Sequence, residues 1–302
     1  MVAGAGLVVL LANLSLAPGP AGEVVAPPRP VETEPSLTHD ETGPVSAPSS
    51  AGGAERPMSP ELLDVTGGTA PPEWMTLPAA PPPCPPATVH VDDGASLRSA
   101  LAEAGPGTVI RLAPGTYRGR FTIDRPAAPE DRAWLCGQAS TALDGGDVRR
   151  GVVLHLDGAD HWTVQGLVVR EGLKGVMVDA STDVALLGLR VHTIGDEGIH
   201  LRTGSTGARV VGNVVSDTGL REPEFGEGLY VGSAHSNWCR YTGCEPGRSD
   251  GALLADNLVY ATTAEPIDVK EGTTGGTIER NQLDGSAITG EVPDSWLALK
   301  GN

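Results

Sequence analysis

Short runs in which aliphatic and polar residues alternate recur along the C-terminal half of the chain, from Val152 onward. The first and third residues of each run are aliphatic and the second and fourth mostly are not, as in a β-strand with one buried face. Successive runs start 22, 23, 30, 38 and 30 residues apart. The six runs are residues 154–157, 176–179, 199–202, 229–232, 267–270 and 297–300.

A second strand-like run follows in most of these repeats, and a third follows after a bend rich in glycine and asparagine. Both residue types tolerate left-handed backbone angles and suit tight turns between strands. About 22 residues in three short strands make one coil of a parallel β-helix, and the coils stack at roughly 4.8 Å. We therefore predict an all-β fold, a right-handed parallel β-helix that carries its longer insertions as surface loops, such as residues 233–251.

The region before the repeats fits the same fold. Residues 96–104 predict one short amphipathic helix, which Pro106 and Gly107 end, and a strand and a turn follow. We expect this helix to cover the open edge of the first coil. Residues 96–123 resemble the opening of the pectate-lyase-like β-helix superfamily, which often begins with a small helix and Pro-Gly-x-x-Ile-x-Leu-x-x-Gly-x-Tyr. The resemblance covers roughly residues 88–302; it implies the fold, which hosts lyases, hydrolases, epimerases and non-enzymes.

Composition divides the chain near Cys84. Residues 1–22 hold a short apolar run followed by small residues, typical of a signal peptide, although the first basic residue is Arg29. A membrane anchor or a buried core segment are the alternatives. Residues 23–83 are predicted to be a disordered, proline-rich linker, and residues 84–302 the β-helix. Because the last coil begins at Ser295 and the sequence stops in mid-turn, we expect a C-terminally incomplete domain or a partner at that edge.

Charge and cysteine content narrow the class of protein. The net charge of −17 argues against nucleic-acid binding, and no apolar run reaches the ~18 residues of a spanning helix. We therefore expect no integral membrane domain beyond a possible N-terminal anchor, and a monomer.

The spacing of the four cysteines favours the disulfides Cys239–Cys244 and Cys84–Cys136, with free thiols or a metal as the alternatives. Paired cysteines agree with a secreted or cell-surface protein.

Residues at equal positions in successive coils stack into columns, and two columns carry candidate chemistry. One contains Glu197, Glu227 and Glu265, which repel one another in the absence of a cation. Ca²⁺ would relieve the repulsion by taking oxygen ligands from Glu227, Glu265 and Asp268. The alternative is a set of solvated turn acids. Glu265 shares the strand parity of a buried isoleucine and faces outward only if a turn intervenes.

The other column ends in two of the three lysines of the chain, Lys270 and Lys300. In β-elimination from a uronate glycan, a base removes the proton beside a carboxylate while cations stabilise the developing charge. Lys270 is the candidate base and Lys300 the candidate stabiliser; both could instead be surface residues. The arrangement resembles the alginate lyase and chondroitinase B group, in which a Glu precedes the catalytic Lys by five residues. The chain departs from that pattern with Lys300 in place of Arg and Thr263 in place of a second Glu.

The leading hypothesis is therefore an exported polysaccharide lyase that acts on a uronate-containing glycan, with Ca²⁺ as the candidate cofactor. A glycoside hydrolase is a second class, because Asp196 and Glu197 could serve as a carboxylate pair near His200. A non-catalytic glycan-binding module is a third, because one outward column could form a shallow sugar platform: His155, Met177, His200, Tyr230 and Asp268. The acidic surface opposes the approach of a polyanion, except where a local basic strip prevails.

Overall fold

The computed structural model describes residues 68–289 and 295–300. The predicted signal or anchor, and the predicted linker before residue 68, lie outside these residues. The described chain forms a right-handed parallel β-helix with three sheets. Each complete coil contributes one strand to each of the three sheets. Two helices accompany the strands, α1 (Gly94–Glu103) and α2 (Trp238–Tyr241). The predicted all-β fold is confirmed.

The strands are grouped by sheet in the order in which they pair. Sheet A contains β1 (Val89–Val91), β2 (Val109–Leu112), β5 (Ala133–Cys136), β8 (Trp162–Gln165), β11 (Ala185–Leu187), β14 (Arg209–Val211), β17 (Leu253–Ala255) and β20 (Thr277–Glu279). Sheet B contains β3 (Gly115–Arg118), β6 (Thr141–Asp144), β9 (Val168–Gly172), β12 (Arg190–Ile194), β15 (Val214–Val215), β18 (Leu258–Val259) and β21 (Gln282–Leu283). Sheet C contains β4 (Phe121–Ile123), β7 (Val152–Asp157), β10 (Lys174–Asp179), β13 (Ile199–Arg202), β16 (Leu229–Val231), β19 (Ile267–Val269) and β22 (Leu297–Leu299).

The register of sheet C converts the alternation in the sequence into inner and outer columns. Val176 pairs with Ile199, Ile199 with Leu229, and Leu229 with Ile267, and all four side chains are buried in one core. Neighbouring strands of such a ladder place like residues above one another, so aliphatic side chains fill the interior in layers. The residues between them point outward and are free to carry chemistry.

Helix α1 covers the first coil, as predicted, but it begins two residues before the expected start. Asp93 caps it: the Oδ1 atom accepts hydrogen bonds from the backbone nitrogens of Ala95 (2.8 Å) and Ser96 (2.7 Å). Such a cap satisfies amide groups that have no partner within the helix. Leu97 and Leu101 are buried against the core, and the helix thereby shields the edge of the sheet stack.

An asparagine ladder fixes the bend between sheets A and B in the later coils. The Nδ2 atom of Asn213 donates to Oδ1 of Asn257 (3.0 Å), and Nδ2 of Asn257 donates to Oδ1 of Asn281 (2.9 Å). Each Nδ2 atom also donates to a backbone carbonyl oxygen of the coil before it. Buried amide groups are therefore satisfied along the stack, which explains why asparagine recurs at this bend.

Residues 68–83, called the strap below, lie against the β-helix. Met75 is buried against Leu258 and Tyr260 of sheet B. The backbone nitrogen and oxygen of Thr76 exchange hydrogen bonds of 2.8 Å with the amide side chain of Gln282. The sequence assigned this segment to the disordered linker, because few of its residues are bulky; the apolar contacts of Met75 and the paired hydrogen bonds hold it on the domain instead.

Two disulfides are present, and both follow the pairing that the cysteine spacing favours. Cys84–Cys136 ties the end of the strap to β5, and Cys239–Cys244 closes a small loop at the end of α2. In the part of the chain that the structure describes, no helix has the length and apolar character needed to cross a membrane.

Candidate functional site

A cleft of about 590 Å³ lies where the outer side chains of β13 and β16 meet two surface loops. One loop joins β15 to β16 and contributes Arg221 and Phe225; the other joins β16 to β17 and contributes Arg240 and Tyr241. Both loops are insertions at positions where the spacing between repeats exceeds 22 residues. The stack of coils therefore supplies the floor of the cleft, and the insertions supply its walls.

The cleft collects positive charge on an otherwise acidic protein. Five acidic residues line it, whereas acidic residues outnumber basic ones 38 to 21 in the whole chain. All three lysines of the sequence are among the lining residues. The six basic residues are Lys174, Arg202, Arg221, Arg240, Lys270 and Lys300. The lining of the cleft is therefore less acidic than the chain as a whole, which favours an anionic ligand there.

Three predicted metal ligands meet at the C-terminal end of the cleft. One carboxylate oxygen from each of Glu227, Glu265 and Asp268 lies within 4.8 Å of the others, and all three residues are buried. The chain bends before β19, at residues 263–266, and Glu265 lines the cleft despite the parity of its position. Within the described chain, Oε2 of Glu227 and Oδ1 of Asp268 are buried without a hydrogen-bond partner. Unsatisfied buried oxygens are costly, and a cation would satisfy them.

The charge state of Glu227 follows from its surroundings. Burial raises the pKa of this carboxyl group to about 8, and the nearby Glu197 carboxylate adds to the effect. Glu227 is therefore mostly protonated at neutral pH, although it lies among other acids. The three stacked glutamates that the sequence predicted are not three equivalent negative charges.

Lys270 and Lys300 converge on the same acids. The Nζ atom of Lys270 lies 2.5 Å from Oδ2 of Asp268, and Nζ of Lys300 lies 3.3 Å from that oxygen and 3.7 Å from Oε1 of Glu265. Burial opposes the charge of Lys300, but the neighbouring side chains outweigh it and raise its pKa. Both lysine side chains thus lie against the members of the cluster other than Glu227.

Tyr230 and His200 occupy the centre of the cleft floor. Their rings lie 4.2 Å apart, and Nζ of Lys270 lies 5.1 Å from the centre of the Tyr230 ring. The register places Met177, His200, Tyr230 and Asp268 in one outward column, as the sequence predicted. Burial, with the nearby Glu227, raises the pKa of Tyr230. The phenol therefore keeps its proton and is a donor.

A second set of acids lies at the other end of the cleft, at the turn before β13. Nζ of Lys174 contacts Glu197 and lies 3.7 Å from Oδ2 of Asp196, and Oε1 of Glu197 lies 3.5 Å from Nδ1 of His200. Burial disfavours the Glu197 carboxylate, but His200 and Lys174 outweigh it and lower its pKa to about 2. Burial raises the pKa of Asp196. Glu197 thus lies between Lys174 and His200, whose Nε2 atom contacts the carbonyl oxygen of Gly232 at 2.9 Å.

The structure brings together every site residue that the sequence singled out for lyase chemistry. Sequence reasoning did not assign a role to Lys174 or Arg202, although Arg202 stood in the lysine column; for Tyr241 it indicated only that the surrounding loop could form one wall of a cleft. Tyr241 lies in a loop without a repeat, so no column pointed to it. The roles predicted for the lysines and the carboxylates stay predictions.

No family model and no curated protein matches this sequence. Among solved structures, it is similar to an alginate lyase from Paenibacillus sp. str. FPU-7, with 32% sequence identity and a TM-score of 0.66. The match covers 69% of this chain and 70% of the other. The chain belongs to the family of this alginate lyase. Membership of this family confirms the resemblance to β-helix lyases that the sequence showed.

Two further solved structures are less similar to the present chain. Pectate lyase Pel9A shares 16% identity and a TM-score of 0.44, and the match covers 64% of this chain and 51% of the other. ORF18 of Geobacillus virus E2 shares 12% identity and a TM-score of 0.30, with 66% and 42% covered.

Proposed function

We propose that this protein is a polysaccharide lyase that cleaves a uronate-containing glycan by β-elimination, with alginate as the first substrate to test. The observation that carries the proposal is the convergence of Lys270 and Lys300 on Asp268, beside the buried phenol of Tyr230. Alginate is chosen because the related structure from Paenibacillus is named an alginate lyase. A polysaccharide is accordingly the proposed partner.

Each residue supplies one requirement of the elimination. The exposed ammonium group of Lys300 neutralises the carboxylate of the sugar and so acidifies the proton beside it. Lys270 passes a proton to Asp268, 2.5 Å away, and its free amine then removes the sugar proton. The bond to the glycosidic oxygen breaks, a double bond forms in the uronate, and Tyr230 donates its proton to the departing oxygen.

The three-carboxylate cluster fits a calcium ion in its donor atoms. Oxygen ligands from Glu227, Glu265 and Asp268 are the type that Ca²⁺ prefers, and two of their buried oxygens have no partner within the described residues. These residues would hold the ion, which would add positive charge opposite the carboxylate of the substrate. Because the pKa of Glu227 is raised to about 8, binding of the ion at neutral pH requires Glu227 to lose its proton. Calorimetric titration of Ca²⁺ into chelator-treated protein tests the site independently of activity.

We also propose that the protein is exported and acts as a monomer. Two disulfides support export, because disulfides form and persist in oxidising compartments. Fractionation of the native host, with a reducing-gel shift on the recovered protein, tests the location. Size-exclusion chromatography with light scattering tests the monomer.

The decisive experiment is the absorbance assay for unsaturated uronate on alginate, chondroitin, dermatan and pectate, each with and without chelator. We expect absorbance with at least one of these glycans and its loss in Lys270→Met, which keeps the side-chain stem but removes the ammonium group. Lys270→Arg is the matched variant: it keeps the charge beside Asp268, but guanidinium does not lose its proton, so activity falls while the fold is kept. Circular dichroism checks the fold of both variants.

The alternatives have their own outcomes in the same assay. New reducing ends without unsaturated uronate would indicate a glycoside hydrolase and point to Asp196 and Glu197. Glycan binding without cleavage would indicate the non-catalytic module. Full activity in Lys270→Met would exclude the proposed base.

A further inference from the structure

Arg202 lies in the same column as the two catalytic lysine candidates, but sequence reasoning left it without a role. It ends β13, and the equivalent positions of the next two coils hold Gly232 and Lys270, linked by backbone hydrogen bonds of 2.8 Å to the strands before them. Gly232 has no side chain to separate Arg202 from Lys270. Two coils place the backbones of Arg202 and Lys270 about 10 Å apart, so the two residues can meet different sugars of one glycan chain.

Asp179 clamps Arg202 on one side only. The Nε atom of Arg202 donates to Oδ1 of Asp179 (2.6 Å) and Nη2 donates to Oδ2 (2.9 Å). His155 and Thr203 contact the same two carboxylate oxygens at 2.9 and 2.7 Å, which fixes Asp179 in turn. Among the described residues, Nη1 of Arg202 makes no hydrogen bond, and Arg202 lines the cleft. The planar guanidinium group of Arg202 is therefore held in one orientation, and the donors on its Nη1 atom are left for a ligand.

An aromatic ring supports the same guanidinium from the loop side. Cζ of Arg202 lies 4.2 Å from the centre of the Tyr241 ring, and Cζ of Arg240 lies 5.2 Å from it. Tyr241 belongs to α2, and the Cys239–Cys244 disulfide closes the loop around it. Stacking of this kind orients a guanidinium without using its hydrogen-bond donors. These contacts orient the guanidinium group and leave donors free to bind an anion, which an ion pair with a purely structural role would not require.

A second Arg–Asp pair in the chain shows what a structural pair looks like. Arg280 binds Asp256 with the same two-pronged geometry, at 2.7 and 2.9 Å. That pair is exposed, lies on the strap side of the helix, and has no aromatic ring against it among the described residues. Arg280 is therefore the matched control for Arg202.

We propose that Arg202 binds the carboxylate of a second uronate residue, adjacent to the one that reacts, and so makes the cleft specific for a glycan with successive uronates. Asp179 and Tyr241 are positioning residues for Arg202. The inference rests on the proposed lyase function and adds a second anionic subsite to it. Guanidinium and carboxylate form the charge-assisted contact that confers this specificity.

The test measures binding without turnover, in the Lys270→Met protein. The probes are an alginate tetrasaccharide and the same tetrasaccharide after chemical reduction of its carboxyl groups, titrated calorimetrically. Arg202→Lys keeps the positive charge but loses the planar pair of guanidinium donors. We expect this variant to raise the Kd of the charged tetrasaccharide about tenfold. The Kd of the reduced tetrasaccharide should not change. Arg280→Lys should change neither value.

Activity gives a second readout in protein that retains Lys270. Arg202→Lys should raise KM for alginate while kcat is largely kept, because Arg202 contacts a sugar that does not react. If Arg202→Lys does not fold, Tyr241→Ala removes the support of the guanidinium and should also weaken only the charged probe. Equal effects on the two probes, or none, in protein that binds alginate would overturn the subsite. Failure of the wild-type protein to cleave or bind any uronate glycan would instead overturn the proposed function, and the subsite with it.

Discussion

Glu227→Gln tests the electrostatics of the acidic cluster without reference to any substrate. The pKa of Glu227 rises from an ordinary 4.5 to about 8 on folding, because the buried site disfavours its charge. A raised carboxyl pKa means that the folded protein binds this proton more tightly than the unfolded chain does. The wild-type protein is therefore most stable below pH 4.5 with respect to this group, and it loses that stability as the pH rises towards 8.

The magnitude follows from about 1.4 kcal/mol for each pKa unit. Above pH 8, ionisation of Glu227 costs the folded protein on the order of 4–5 kcal/mol, and at pH 7 it costs about 3 kcal/mol. Glutamine has the same shape and no charge to bury. The difference in free energy of unfolding between Glu227→Gln and wild type should therefore be near zero at pH 4.5 and grow in favour of the variant at pH 7 and pH 9.

Urea unfolding followed by circular dichroism, at the three pH values and with chelator present, measures this difference. Glu224→Gln is the matched control, because Glu224 lines the same cleft but is exposed; removing its carboxyl group should not reproduce the gain in stability of Glu227→Gln. Parallel pH profiles for wild type and Glu227→Gln, or a difference that shrinks as the pH rises, would refute the buried neutral carboxyl group. The cluster would then hold three negative charges.

Three further predictions concern what holds the coils together. Met75→Ala should lower the free energy of unfolding by about 2–4 kcal/mol in urea denaturation, because the strap loses its buried contact with Tyr260. Asn257→Ala should lower it by about 2–4 kcal/mol in the same assay, since it breaks the middle of the asparagine ladder and leaves buried partners unpaired. Replacing both Cys84 and Cys136 by alanine should lower the melting temperature, since a closure over 52 residues is worth about 4 kcal/mol; reductant should change the wild type likewise.

The fold could be predicted from the sequence because each coil repeats the same local rules. Alternation such as that of residues 176–179 identifies a half-buried strand, and its recurrence every 22 residues or more, with the longer intervals holding surface loops, identifies the stack. The helix over the first coil was predictable for the same reason, since Leu97 and Leu101 lie one turn apart on one face. The strap was not, because Met75 is a single apolar residue without any period.

Only the site residues that occupy fixed positions in successive coils could be predicted from the sequence. Lys270, Lys300 and Asp268 stand at fixed offsets in successive coils, so their proximity could be deduced from spacing alone. The protonation of Glu227 could not, because it depends on how deeply its carboxyl group is buried and on its closeness to Glu197, which spacing does not give. Tyr241 was out of reach for the same reason: its contact with Arg202 depends on the path of an insertion.

All three lysines of this protein line the cleft, whereas arginine lines the cleft and also forms ion pairs elsewhere along the coils. Ion pairs along the coils use arginine, whose planar fork matches a single carboxylate, as in Arg202–Asp179 and Arg280–Asp256. The three lysines all line the cleft, where one small ammonium group must lie between two or more acids. Lysine is also the only one of the two that can lose its proton in a protein. The three lysines thus stand where an ammonium group faces more than one acid, and under the proposed function this is also where a cation that can lose its proton is needed.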